Sequence, residues 1–426
     1  MEGRASVEAV FREERGLLLA ALVRRFGDLD LAEEVTSEAI EAALVHWPAE
    51  GVPPKPGAWL MTTARRKAVD RLRRDQAYAA RLAVLQVEAD RAAPAPPADG
   101  GLPDERLQLF FTCAHPALPA EDRMALTLRC LAGLTTSEVA RAFLVPSTTM
   151  GKRIVRAKNR IRVARIPFRV PDAAELPGRL PGVLQVVYSI FTEGYAASSG
   201  PDLQRLDLAE EAIRLARILR RLLPGEREVA GLLALMVLIH ARREARTGPD
   251  GDLVLLDDQD RGRWDRALIA EGTSLVPVAL TGGPPGPYGV QAAIAALHDE
   301  AADVSRTDWP QIVGLYDVLR GLTPSPVVEL NRAVAVAMRD GPAAGLALLD
   351  ALAEEPRLRE YSPFPAARGD LLSRSGRLAE AAVAYQDALA LAGTEPERAH
   401  LRRRLTEVAG PVGIPRPGRP DRTSDR

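Results

Sequence analysis

Apolar residues in this chain recur almost everywhere at the 3.6-residue spacing of a helix, and no stretch shows the two-residue alternation of a half-buried strand. That pattern confines the fold to packed helices. Beyond Val183 the segments LDLAEEAIRLARILRRLLP, REVAGLLALMVLIHARREAR, QAAIAALHDEAA and WPQIVGLYDVLRGL all carry it. The fold class is therefore all-α. At 426 residues the chain exceeds one ordinary core, so breaks between domains are to be sought in its composition.

Proline and glycine mark those breaks. PAEGVPPKPG interrupts the first helices, AAPAPPADGGLP reads as a linker, and RIPFRVPDAAELPGRLPG holds four prolines that are expected to stop any helix. The map that follows is a helical domain at 1–75 and a linker at 76–104, with a further helix from Gln76 to Arg91. A second small helical domain follows at 105–168, then a helical extension at 169–325, a repeat pair at 326–410 and a polar tail at 411–426, expected to be disordered. Within the repeat pair, ELNRAVAVAMRDGPAAGLALLDAL and AARGDLLSRSGRLAEAAVAYQDAL share one helix–turn–helix pattern, with Gly341 and Gly376 at equivalent places. Their 35-residue offset and small-residue seams resemble tetratricopeptide repeats.

Charge divides the chain. Residues 1–169 hold 26 Lys+Arg against 21 Asp+Glu, and the remainder holds 30 against 36, which sums to the net charge of −1. A cationic front half points to a polyanion as its partner, and clustering matters more than the total. Cys113 and Cys130 lie among apolar or small neighbours, and the amino terminus has no secretory pattern. Both features predict a cytoplasmic protein off the membrane. Cys113 with His115 falls short of a zinc pattern, and no nucleophile pairs with a base. No metal, cofactor or covalent chemistry is expected.

The densest cationic stretch is PSTTMGKRIVRAKNRIRVARIP, with seven cations from Lys152 to Arg165 and no acid. Before it, Thr135 and Glu138 make a capping box that starts a helix turning Val139, Ala140 and Phe143 inward. In the next helix Met150, Ile154, Ala157 and Ile161 form one apolar stripe, while Lys152, Arg153, Arg156 and Arg160 project elsewhere. Two short helices with an apolar back and a cationic front make the helix-turn-helix solution for entering a major groove. Ser147, Thr148 and Thr149, at the helix start, stand where base edges are read.

A second basic helix, WLMTTARRKAVDRLRR, sets Leu60, Ala64, Ala68 and Leu72 on one side and carries six cations from Arg65 to Arg74. Asp70, the one acid among them, reads as an internal ion-pair partner. With Trp47, Lys55 and Trp59 just before it, this surface suits a nucleic-acid backbone whose unpaired bases stack on rings. Upstream of it, Leu31, Val35, Ala39 and Leu44 are expected to supply the apolar face of the preceding helix.

The order FGDLDLAEEVTSEAIEAAL, WLMTTARRKAVDRLRR and LTTSEVARAFLVPSTTMGKRIVRAKNRIR resembles regions 2 and 4 of an extracytoplasmic-function sigma factor. The whole chain is similar to the subgroup with a long carboxyl-terminal extension carrying tetratricopeptide-like repeats. That resemblance implies that Asp30, Glu33, Glu34 and Glu38 dock the clamp helices of the largest subunit of core RNA polymerase. It implies that Trp47, Lys55, Trp59, Arg65, Arg66, Arg71, Arg73 and Arg74 open and read a minus-ten element. A minus-35 element would be read by Ser147, Thr148, Thr149, Lys152, Arg153, Arg156 and Arg160, and the repeats could hold a protein partner. The chain departs from the pattern at Leu144, where glycine is common, and at Gly151, where a helix-interior glycine costs about 1 kcal/mol against alanine. The alternatives are a helix-turn-helix regulator with an effector-sensing or partner-binding helical domain, and a scaffold whose basic helices are merely solvated.

Overall fold

The computed structural model describes residues 2–82, 105–143, 145–197, 202–248 and 252–409. Among them are eighteen α-helices and no strand, only one isolated bridge between Thr247 and Leu253. The expected linker helix is continuous with the preceding one as far as Leu82. Its remainder, Leu144 and the tail at 411–426 lie outside the described residues. The chain divides into two compact units, one of residues 1–192 and 207–225, the other of 193–206 and 226–426.

The first unit opens with α1 (Glu2–Phe26), α2 (Leu29–Glu50) and α3 (Pro56–Leu82). Gly27, at φ 69°, makes the turn into α2, and the Asp28 carboxylate caps that helix by accepting from the amides of Asp30 and Leu31 at 2.8 and 3.0 Å. Helices α1, α2 and α3 pack on one another and bury Leu18, Leu22 and Val23, Val35, Ala39 and Ala43, and Leu60, Ala64 and Ala68, respectively. Leu44, expected on the inner face, is instead half exposed, because the stripe Val35, Ala39, Ala43 and Trp47 takes that side. PAEGVPPKPG breaks the chain later than its composition implies, since α2 runs through Pro48 to Glu50.

Next come α4 (Arg106–Cys113), α5 (Ala120–Cys130), α6 (Thr136–Ala142) and α7 (Ser147–Val163). Cys113 and Cys130 are both free and buried in this module, and a hydrogen bond between them together with burial pushes the Cys113 thiol pKa well up. The proline-rich stretch after α7 does not stop every helix. The next, α8 (Leu176–Tyr195), carries Pro177 in its first turn and Pro181 inside. A first-turn proline lacks only an amide that would be unpaired anyway, and burial of Leu180, Val183, Leu184, Val187 and Phe191 offsets the bond lost at Pro181. Most of α8 and nearly all of α9 (Leu206–Leu222) belong to the first unit, so the division does not fall at residue 169. Arg179 donates to the Phe111 carbonyl at 3.1 Å and Arg214 to the Leu131 carbonyl at 3.3 Å, fastening both helices to the α4–α5 module.

In the second unit α10 (Arg227–Ala241) is buried on nearly every side, with α11 (Arg266–Leu280) and α12 (Pro287–Glu300) against it. Gly231 permits that approach: a Cβ there would lie 2.6 Å from the backbone nitrogen of Gly289. Just after α10, Arg242 donates to the Asp299 carboxylate at 2.7 Å and to the Ala295 carbonyl at 2.9 Å. Helix α13 (Trp309–Leu322) then leads into two hairpins. They are α14 (Pro326–Asp340) with α15 (Pro342–Asp350), and α16 (Pro363–Arg374) with α17 (Leu378–Leu391). Their turns pass through Gly341 and Gly376 at φ 97° and 76°, conformations that glycine adopts at little cost. The last helix, α18 (Glu395–Ala409), adds Leu401 and Val408 to a common core with Leu349, Leu371, Ala384 and Tyr385.

Candidate nucleic-acid interface

The α6–α7 pair is built as its sequence dictates. The Thr135 hydroxyl accepts the Glu138 amide at 3.2 Å, and the Glu138 carboxylate accepts the Thr135 amide at 2.7 Å, closing a capping box at the start of α6. Met150, Ile154, Ala157 and Ile161 are buried, which fixes the opposite face of α7 outward. Val139 and Ala140 are buried too, while Phe143 is half-buried beneath the Arg153 guanidinium, 5.7 Å from its ring centre. A Cβ at Gly151 would meet only Thr136, at 3.9 Å, so no packing demands glycine there.

The cations of α7 fall into two sets. Lys152 and Arg156 are exposed, with no ion pair among the described residues, and stand beside exposed Ser147, Thr148 and Thr149. Arg153 pairs with Glu121 at 2.8 Å, Arg160 with Asp122 at 2.5 Å, and Lys158 with Asp30 at 2.8 Å and Glu33 at 2.5 Å. Burial works against the Lys158 ammonium, yet the two carboxylates outweigh it and hold its pKa above the ordinary lysine range. The ammonium therefore stays charged at neutral pH, and on the alkaline side the pairing is lost as pH rises through the elevated value.

Glu33 is the centre of this arrangement. It is buried, and takes Lys158 from α7, Arg129 from α5 and, at 3.6 Å, Arg15 from α1. Glu34 pairs with Arg71, and Glu38 with Lys67 at 3.1 Å and Arg71 at 3.6 Å. Of the four acids assigned to polymerase docking, Glu33 is thus enclosed, and Asp30, Glu34 and Glu38 remain at least partly open.

On α3, Arg66, Arg73 and Arg74 are exposed, as is Lys55 before it. Arg65 is half-buried, and burial together with the nearby Arg25 lowers its pKa. Arg71 faces Glu34 and Glu38. Asp70 is exposed and forms no ion pair among the described residues; only its backbone carbonyl accepts from Arg74, at 3.3 Å. Trp47 is 4 % exposed, stacked on Phe11 at 5.1 Å and edge-on to Trp59 at 5.6 Å, so it offers no free face. Trp59 remains half-buried and is the ring of the two that reaches the surface.

Comparison with known proteins matches residues 10–78 to sigma-70 region 2, 111–161 to sigma-70 region 4, and 179–280 to a family of unknown function, DUF6596. A relative from Rhizobium meliloti (strain 1021), named "Uncharacterized protein R00370", is 44% identical over 395 residues, covering 92% of this chain and 93% of its own length. The chain belongs to the family of that rhizobial protein. Its sigma-70 regions 2 and 4, in that order, support an RNA polymerase sigma factor. No solved structure matches. In these terms α1–α3 are region 2, α4–α7 are region 4, and the Lys158–Glu33 contact joins the two regions.

Sequence reasoning missed the pairing of Glu33 with Arg129 and Lys158, which lie about a hundred residues away and share no local spacing with it. The burial of Trp47 did carry a signal, since Ala39, Ala43 and Trp47 stand four residues apart along α2. No described helix is long and apolar enough to cross a membrane.

Proposed function

We propose that the chain is a sigma factor of the extracytoplasmic-function type that binds core RNA polymerase in the cytoplasm and directs it to promoters. The observation that carries this reading is α7, with its apolar back locked into region 4 and Ser147, Thr148, Thr149, Lys152 and Arg156 left facing outward. These five side chains read a minus-35 element, with Arg153 and Arg160 joining once released from Glu121 and Asp122. Lys55, Trp59, Arg65, Arg66, Arg73 and Arg74 engage a minus-ten element, while Trp47 holds Trp59 in place and Arg71 orients α3 against α2.

Asp30, Glu34 and Glu38 present the docking surface for the polymerase clamp helices. Glu33 completes that surface only after Lys158 and Arg129 let go, so the free chain holds regions 2 and 4 together and polymerase binding parts them. The two hairpins, read as tetratricopeptide-like, modulate output through a partner or ligand. No covalent chemistry is assigned to the chain; the polymerase supplies it.

The test is footprinting of promoter DNA by core polymerase reconstituted with the chain. Protection is expected at two elements about two duplex turns apart, or roughly 70 Å. The Lys152→Ala, Arg156→Ala double variant should lose the upstream element, and Arg66→Ala, Arg73→Ala should weaken the downstream one. Protection by the chain alone, unchanged by polymerase, would make it an ordinary helix-turn-helix regulator.

A further inference from the structure

The second unit holds a cavity of about 460 Å³, open to solvent on one side and within the size range of small-molecule sites. Helices α13, α14, α16 and α18 supply most of its wall, and the segment from Leu253 to Asp257, His298 of α12 and Tyr385 of α17 complete it. That segment is pinned. Gly248 donates to the Asp252 carbonyl and Val254 to the Arg246 carbonyl, both at 2.9 Å, and Arg403 of α18 holds the Asp252 carboxylate.

Trp309, Tyr316 and Tyr385 give the cavity an aromatic lining, and the His298 ring meets Trp309 edge-on at 5.3 Å. Burial, with Arg242 and Arg261 nearby, lowers the His298 pKa to about 3, and burial with Arg403 and Arg404 lowers that of His400. Neither imidazole adds positive charge at neutral pH.

The charged groups of the wall are mostly matched. Arg404 donates to Asp370 at 3.0 Å, to the Tyr385 hydroxyl at 3.2 Å and to Glu407 at 2.7 Å. Arg374 lies 3.8 Å from Asp370 and 3.2 Å from the Met338 sulfur. Glu397 accepts the Gly393 amide at 3.0 Å and the Ser362 hydroxyl at 3.4 Å. Asp257, an exposed residue of the wall, is left over, with no hydrogen bond or ion pair among the described residues. Three carboxylates thus face two guanidiniums that already have acidic neighbours. Partial desolvation and the adjoining Asp258 raise the Asp257 pKa against the opposing pull of Arg374 and Arg261, and a cation at this carboxylate would add to that pull.

We propose that this cavity binds a small organic amine, with an aromatic or branched apolar body against Trp309, Tyr316 and Tyr385 and a single ammonium at Asp257. Aromatic faces attract a cation, and a charge-assisted hydrogen bond to a carboxylate fixes its orientation. An organic acid fits poorly, because both guanidiniums are already engaged. The site lies within the second unit and does not depend on the sigma-factor reading.

Calorimetric titration of the full chain with phenethylamine, tryptamine and isoamylamine, against 3-phenylpropionate as the anionic counterpart, tests this. At least one amine is expected to bind about tenfold tighter than the acid. Asp257→Asn should weaken it by about tenfold to a hundredfold, the worth of one charged hydrogen bond. The melting temperature of the unliganded variant should not fall, since Asp257 supports no other group. Binding of the acid as tightly as the amines, no heat from any of the amines, or an Asp257→Asn chain that binds undiminished overturns the proposal. None of these readouts involves polymerase or DNA, so failure here leaves the promoter reading standing, and failure of that reading leaves this one.

Discussion

Two buried carboxylates, Glu33 in the first unit and Asp299 in the second, solve the same electrostatic problem to opposite ends. Asp299 is 2 % exposed and meets Arg242, which is itself buried, also holds the Ala295 carbonyl and lies 5.3 Å from the Trp264 ring centre. All of these groups belong to one helical core. Glu33 is 7 % exposed but gathers three cations from α1, α5 and α7, each of which keeps some contact with solvent. Its partners belong to two modules that each have an apolar core of their own. A carboxylate buried within one core can only hold it, whereas a carboxylate buried between two modules can hold them and let them go. Under the proposed function this difference matters, because on that reading polymerase binding parts regions 2 and 4.

The largest effect that could break this contrast is expected from Arg242→Ala. It strands Asp299 without a counter-ion and should cost about 3–5 kcal/mol in chemical denaturation, with loss of cooperative melting of the second unit. Glu33→Gln should cost less, about 2–3 kcal/mol, because Lys158 and Arg129 can turn to water. Amide exchange in α2 and α7 should quicken in that variant while helix content stays. A Glu33→Gln loss as large as that of Arg242→Ala would erase the distinction.

Acid should separate the units as well. The folded-state pKa of His298 lies near 3, below its unfolded value, so the unfolded chain binds more protons as pH falls from about 6.5 towards 3. Stability of the second unit should decline over that window by up to about 1.4 kcal/mol per pH unit, and a His298→Asn chain should show a shallower decline. Smaller still, Gly151→Ala should stabilise region 4 by about 1 kcal/mol, since the added Cβ meets only an ordinary contact. Arg156→Ala should leave stability within about 0.5 kcal/mol and reduce the slope of log affinity against log salt by about 0.9. Without polymerase the chain should show a slope well below that of the seven cations from Lys152 to Arg165, because Arg153, Lys158 and Arg160 carry acid partners until released.

How legible these features are in the sequence depends on the range of the interaction that makes them. The capping box of Thr135 and Glu138, the stripe from Met150 to Ile161 and the turns at Gly341 and Gly376 are set within a few residues, and the structure has them where spacing places them. Pro181 shows where a local cue is overridden: burial of one face of α8 outweighs a missing amide. The Glu33 cluster and the cavity bring together residues that no periodicity connects. Lys158 and Asp30 are 128 positions apart, and the cavity wall draws on Leu253 and Arg404 alike. Such sites are products of packing, so only the cationic faces of α3 and α7 could be read beforehand as places of binding.

The central claim is that this chain gives core polymerase a start site it does not otherwise use. Run-off transcription from genomic fragments, with core polymerase alone and with the chain added, measures that directly. The account predicts new discrete transcripts that vanish with the Lys152→Ala, Arg156→Ala chain. An identical set of transcripts with and without the chain would contradict it.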